Sequence, residues 1–384
     1  RDRSVSRGLG DVYKRQLPVV IYFILIFAAL MVIISAVAPV SNHEPKTTDT
    51  YSDFSTGWLN CEESEASLDH LSGTTVIHRT ITAADCNKTL FFFAKTSNIK
   101  VFIDGVCQYK NKHFCSQFFG KTPGALFVNV LIPAESDGKL LEIEIENPYK
   151  DDDSAKLDEM YIGDISDIIQ FQQQKRFHPF CLSFIIMVLG VVMLLLFIPP
   201  TRQKMVGIEF VNLGVTAFVA GLYLTTDGRY LQLVFGDAHI YHVIAETAMR
   251  LATPLFLIFL SQMYDSYSKR ISTILCVIGE IAFVVCFIDE ITGIMDYHET
   301  LFLVHVVFAI SMLFILVSTI KGIVKAPKEN IYHNIGCIVF SFMAMTDVIV
   351  LWRGTGRETS YFIRLGILIF FCLLYTSDAA DDLT

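Results

Sequence analysis

Residues Phe180–Ile198 read FCLSFIIMVLGVVMLLLFI, and residues Leu301–Ile320 read LFLVHVVFAISMLFILVSTI. Neither run contains Asp, Glu, Lys or Arg. A helix rises about 1.5 Å per residue, so roughly 20 mostly apolar residues cross a bilayer. Runs of this kind recur at about 180–199, 206–226, 241–263, 272–293, 300–320, 333–352 and from 360 onward, with short polar loops between them. The pattern predicts a seven-helix transmembrane bundle over 179–371.

The composition agrees. The chain has 384 residues, 53% hydrophobic and 18% charged. That is too apolar for a soluble protein of this size and fits a membrane protein with one polar domain. Residues 39–175 hold 12 Lys+Arg against 21 Asp+Glu, so the formal charge of −9 resides ahead of the bundle. No basic patch marks a nucleic-acid partner.

The two ends are expected to be foreign to the fold. Asp11–Gln16 (DVYKRQ) is what GAT GTG TAT AAG AGA CAG encodes, the transposase end of sequencing libraries. Cys372–Asp382 (CLLYTSDAADD) reads as the reverse-complement adapter. Residues 1–16 and 372–384 are therefore set aside as adapter-derived. The 22-residue run Leu17–Ala38 is a signal peptide or an anchor helix: its length favours the anchor, and Ala36-Val37-Ala38 favours cleavage. Either way the next segment is exported.

Residues 39–165 read as an all-β sandwich. Leu140–Asn147 (LLEIEIEN) puts Leu141, Ile143 and Ile145 on one face and Glu142, Glu144 and Glu146 on the other. Such alternation marks an antiparallel strand with one wet face. Further strands are predicted at 74–81, 89–96, 99–104, 125–132 and 158–162, separated by turn signals such as Asp104-Gly105 and Pro123-Gly124. Residues 166–178 are expected to form a juxtamembrane helix between sandwich and membrane.

With the sandwich outside, the inner loops 200–205, 264–271 and 321–332 hold seven Lys+Arg, and the outer loops 227–240, 294–299 and 353–359 hold three. This obeys the positive-inside rule. The expected localisation is a multi-pass cell-membrane protein with an extracytoplasmic sandwich and a cytoplasmic C-terminus.

Glu209, Glu246, Arg250, Glu280, Asp289, Glu290, Asp347 and Arg364 fall in the apolar runs. On insertion scales a charged residue at mid-bilayer costs about 2.5–3.5 kcal/mol. Glu246 and Arg250 are four apart and share a helix face, where they can pair. With Asp289, Asp347 and Arg364 they are expected to form a charged cluster beneath the sandwich. It acts either as a polar switch or as neutralised pairs that fix helix packing. Gly207, Gly214 and Gly221 recur every seven residues and point to close helix packing. Cys61, Cys86, Cys107 and Cys115 lie in the exported part and allow three disulfide pairings. The sequence shows no metal-ligand spacing, no cofactor motif and no nucleophile–base set, so no catalytic, metal or cofactor residues are assigned.

Leu126–Tyr149 (LFVNVLIPAESDGKLLEIEIENPY) with Met160–Ile168 (MYIGDISDI) resembles a carbohydrate-binding-like jelly roll. Leu224–Leu260 is similar to the second and third helices, with their loop, of the bacterial seven-transmembrane receptors with diverse intracellular signalling modules. The resemblance covers about residues 17–371. It implies a receptor for an extracellular ligand, with a carbohydrate-like molecule as one class. It also implies a lipid-embedded homodimer, and a diguanylate cyclase (GGDEF) or histidine kinase domain beyond the last helix. The alternative is a transporter or channel with an exported accessory domain.

Overall fold

The computed structural model describes residues 50–111, 120–121, 124–149, 155–197, 208–236, 238–263, 266–325, 331–352 and 360–381. The run 17–38, Gly207 and Cys115 lie outside the described residues.

Two antiparallel sheets come first. One orders its strands β1 (Tyr51–Asp53), β9 (Lys156–Gly163), β4 (Thr89–Lys95) and β7 (Ala125–Leu131). The other orders β2 (Leu59–Asn60), β3 (Thr74–Thr80), β8 (Leu140–Glu146), β5 (Asn98–Ile103) and β6 (Val106–Lys110). Leu90, Phe92, Val128 and Ile162 from the first meet Ile77, Val101, Ile143 and Ile145 from the second in one core. The expected alternation in β8 holds, with Leu141, Ile143 and Ile145 fully buried. Glu144, on the wet face, pairs with Lys100 directly opposite at 2.6 Å, a cross-strand contact of the stabilising kind. The Asp104-Gly105 turn joins β5 to β6 with both residues at positive φ, the geometry of tight hairpins. Sequence periodicity misses β6 because its side chains are mostly exposed.

β4 departs from the half-wet pattern. From Leu90 to Ala94 every residue is buried. A strand covered on both faces reads as a continuous apolar run, and LFFFA is one. Leu90, Phe92 and Ala94 fill the core between the sheets. Phe91 and Phe93 face the other way and pack on Phe127 of β7, with ring centroids 5.4 and 5.5 Å apart.

The helices follow: α1 (Ile165–Phe197), α2 (Ile208–Asp227), α3 (Tyr230–Phe235), α4 (Ala238–Ser261), α5 (Ser266–Thr292), α6 (Leu301–Lys325), α7 (Ile331–Trp352) and α8 (Tyr361–Asp381). Six of them, α1, α2 and α4 to α7, are long and apolar enough to cross a membrane. The apolar part of α8, Tyr361–Leu374, is shorter. Residues 372–381, set aside on sequence grounds, continue α8, since Leu373 and Leu374 extend its apolar run.

α1 corrects a boundary. The short juxtamembrane helix and the first apolar span are one helix of 33 residues, about 50 Å long. It starts where Asp164 Oδ1 accepts the Ser166 N–H at 2.8 Å, an N-terminal cap. It continues through Pro179, and the Ser183 hydroxyl donates to the Pro179 carbonyl at 2.9 Å.

α1 and α2 touch backbone to backbone. A Cβ on Gly190 would lie 2.3 Å from the Phe218 nitrogen, and one on Gly221 would lie 2.4 Å from the Met187 nitrogen. Gly214 sits in the same seam, 3.0 Å from Met193 Cβ by the same measure. Gly214 and Gly221 thus pack as the spacing predicts, against a third glycine that the seven-residue spacing does not reach. Gly190→Leu should lower stability by about 1–3 kcal/mol through overpacking. Gly322→Ala, with nothing within 4 Å, should be neutral or stabilise by up to about 1 kcal/mol. Thermal unfolding in detergent measures both, and equal midpoints for the two variants would refute the close seam.

Candidate transmembrane coupling site

The aromatic face of the first sheet needs a cover, and the ends of the helices supply it. Arg176 of α1 places its guanidinium 4.9 Å from the Phe127 ring centroid, and Arg229, between α2 and α3, lies 4.1 Å from that of Phe93. A cation over a ring face is attracted by the ring quadrupole. Gly124, at φ +76°, leads into β7 beneath His242 of α4, where a Cβ would come within 2.5 Å of the imidazole.

One ion-pair group fastens the sheet to α1. Phe91 pairs with Tyr161 and Phe93 with Asp158, so the register of β4 against β9 shifts between them. The shift is a β-bulge, and within it Glu159 adopts φ 51°. Bulges re-aim side chains. Here the carboxylate meets the side chains of Lys175 and Arg176, adjacent on α1. Arg176 Nη2 reaches its two oxygens at 3.0 and 2.8 Å, and Lys175 Nζ reaches Oε1 at 2.8 Å. Arg176 is buried and also donates to Gln172 of its own helix. Burial alone would raise the Glu159 carboxyl, but Arg176 and Lys175 outweigh it and hold the group at about 2.

The second attachment is the loop between α5 and α6, residues 293–300. One side of it meets the sandwich. The Tyr149 hydroxyl and the Lys121 backbone N–H both donate to Asp296 Oδ2, the latter at 3.1 Å. Lys121 Nζ pairs with Glu299 at 2.6 Å, and the Tyr149 and His298 rings lie 4.4 Å apart. The other side enters the bundle. Tyr297 is 2% exposed. Its N–H donates to Glu290 at 2.6 Å, and its ring lies 4.0 Å from the Arg250 guanidinium. Arg250 Nη2 donates to the Tyr297 carbonyl at 2.7 Å and to Thr300 Oγ1 at 3.2 Å, while Nη1 bonds Glu246 at 2.6 Å. A continuous chain of bonds therefore runs from Tyr149 in the sandwich through the loop to Arg250 in α4.

The five charged residues expected in one cluster separate. Glu246 and Arg250 pair as their spacing predicts. Asp347 and Arg364 belong to another group, around the start of α8. Asp347 accepts the Phe362 and Ile363 N–H groups at 3.3 and 2.6 Å, and Arg364 Nε donates to Ser183 of α1 at 2.9 Å. Asp289 is half-buried and its carboxylate bonds neither group among the described residues; the adjacent Glu290 turns inward instead. Cys61, Cys86 and Cys107 are free thiols, and none is joined to another.

Sequence reading missed Glu159, Arg176, Tyr149, Asp296 and Tyr297. A bulge leaves no mark in a residue pattern, so Glu159 was not legible. The polar stretch Asp296–Thr300 (DYHET) between two apolar runs was a usable signal.

Comparison with known protein families, characterised proteins and solved structures finds no match.

A depressed carboxyl pKa contributes stability above its unfolded value and loses it as pH falls through the folded one. For Glu159 that window runs from its ordinary value of 4.5 down to about 2, and the contribution is of the order of 3 kcal/mol. Glu159→Gln should therefore unfold at lower temperature than the parent protein at pH 6, and the gap should close between pH 4.5 and 2. A gap independent of pH across that window would rule out the ion pair as its cause.

Proposed function

We propose that the chain is the sensory part of a membrane signalling receptor, of the bacterial seven-transmembrane kind with diverse intracellular signalling modules. The two-sheet domain binds an extracytoplasmic ligand, and the helices carry the response to a cytoplasmic output, a diguanylate cyclase in the first instance and a histidine kinase in the second. The homodimer implied by such outputs belongs to this proposal. The observation that carries the reading is the double attachment of the sandwich, from its first sheet to α1 through Glu159 and Arg176, and from its loop residues Lys121 and Tyr149 to α4 through Asp296, Tyr297 and Arg250. An accessory domain held by a flexible tether would need neither.

The strand order supports a jelly roll. Without the two-residue β2, the sheets run β1-β9-β4-β7 and β3-β8-β5-β6, the order produced by two interlocked Greek keys. The transporter or channel reading has one observation in its favour, a cavity among α2, α4, α6, α7 and α8. Transporters commonly build such sites from broken helices, whereas each of the six spanning helices here is continuous.

Two experiments test the proposal. In a background with the native cysteines changed to serine, Ile294→Cys lies on the sandwich side and Lys325→Cys at the opposite end of α6. In intact cells a membrane-impermeant thiol reagent should label the first and spare the second; the reverse pattern would overturn the receptor topology. Arg250→Ala leaves Glu246 without its partner in a buried setting, a loss of about 3–5 kcal/mol. That exceeds the few kcal/mol that separate signalling states. In the full-length gene, Arg250→Ala and Glu246→Ala should each fix the output domain at one activity level. Normal ligand-responsive output from both, at normal membrane abundance, would exclude this pair as the switch.

A further inference from the structure

We propose that the helical bundle contains its own ligand site, separate from the sandwich, for a small neutral molecule with one aromatic ring and one hydroxyl. Two cavities of about 80 and 70 Å³ lie among α2, α4, α6, α7 and α8. They share Tyr223, Met249, Thr253, Phe308 and Ile363 as walls, so they form two chambers of one site. The first chamber is apolar. Ala217 and Ala220 of α2 leave room opposite Phe256, Phe308 and Phe370, and flat aromatic walls favour a ring. The second chamber carries the polar groups. His305, Asp347 and Ser360 line it together with Tyr223.

The polar groups already present set the ligand's chemistry. Asp347 accepts two backbone N–H groups and keeps lone pairs for a further donor. Trp352 Nε1 donates to His305 Nδ1 at 3.2 Å, so the His305 proton sits on Nε2 and can be donated. The Tyr223 and Ser360 hydroxyls bond each other at 3.0 Å. A hydroxyl both donates and accepts, so it suits a carboxylate and an imidazole N–H in one chamber. A cavity of roughly 150 Å³ holds a benzene ring, so the two chambers together match a ligand with one ring. Arg364 lies in the same region, with Nε on Ser183, which favours a neutral ligand over an ammonium ion at Asp347.

The test uses the full chain in detergent, 4-fluorophenol as the probe and fluorine NMR as the readout. The site predicts a saturable shift and at least tenfold weaker binding of fluorobenzene, which lacks the hydroxyl. Ala220→Phe and Ala217→Leu fill the apolar chamber and should each weaken 4-fluorophenol at least tenfold. If one variant fails to fold, the other and the fluorobenzene comparison still decide. A shift that never saturates means partition into the micelle, and it overturns the proposal. So does equal binding of the two probes, or parental affinity in a folded cavity-filling variant. The assay reads binding alone, so its failure leaves the receptor reading intact.

Discussion

Sheet β1-β9-β4-β7 has no wet face around β4, and the placement of the other elements follows from that constraint. Burying a phenylalanine is worth about 1.5–3 kcal/mol, and Phe91 and Phe93 are both almost fully buried on the side away from the core. They stay buried only if helix ends lie against the sheet. α1 must therefore leave β9 at once, with one residue, Asp164, between them, and rise past Phe127 as a single rod. The loop after α2 reaches the same surface through Arg229, and the loop after α5 reaches the sandwich beside it through Asp296, which holds Tyr149 and Lys121. The contacts that hold the sheet are of two kinds. The aromatic face gives area without direction. The Glu159, Arg176 and Asp296 bonds give register, because charged hydrogen bonds weaken steeply when misaligned.

The parts of this arrangement that were legible in the sequence are those with a period. Apolar length located the spans, and alternation located β8 and most of its neighbours. The seven-residue glycine spacing found one side of the α1–α2 seam but missed Gly190 on the facing helix, because a single glycine has no period. The LFFFA run of β4 held the most information and was read as an ordinary strand. A strand buried on both faces is the sequence signal that a second layer covers the sheet, here the membrane domain. The juxtamembrane helix expected over 166–178 and the first span form one helix for a related reason. Pro179 and the polar stretch 172–178 look like an interruption, yet Gln172 and Arg176 are polar because they face β9 and β7, while the helix passes through them.

The charged residues show why composition alone could not assemble the site. Insertion energetics mark every intramembrane charge as expensive without saying which partner satisfies it. Glu246 and Arg250 could be paired in advance because a helix fixes residues four apart on one face. Asp347 and Arg364 lie on different helices, and their partners are backbone N–H groups and a serine hydroxyl. Glu290 and Asp289 are adjacent on α5, so they point to different sides, and only Glu290 meets Tyr297. The choice between them rests on helix rotation, which a scattered apolar pattern around the whole of α5 does not reveal.

The two attachments of the sheet differ in what they can transmit. α1 follows β9 with one residue between them, so in the proposed receptor a movement of the sheet would tilt or turn the whole rod, and the glycine seam would pass that motion to α2. The 293–300 loop is tied to the sandwich by non-covalent contacts alone. It can therefore stay bound or separate, which gives two discrete arrangements. A ligand can bias such an element only by binding one arrangement better than the other. The bonds at Asp296 lie within the sandwich-facing surface, and Tyr297 lies against Arg250 one residue further on. In the proposed receptor, displacing Asp296 would thus move the aromatic cover from a buried guanidinium whose Nη2 donates to the Tyr297 carbonyl and to Thr300 Oγ1, both in the same loop. Strain at the sheet and exposure of a charge in the bundle are then one event. Under the proposed receptor reading, this adjacency is the route by which a contact outside the bundle would reach its interior without a rearrangement of the helices themselves.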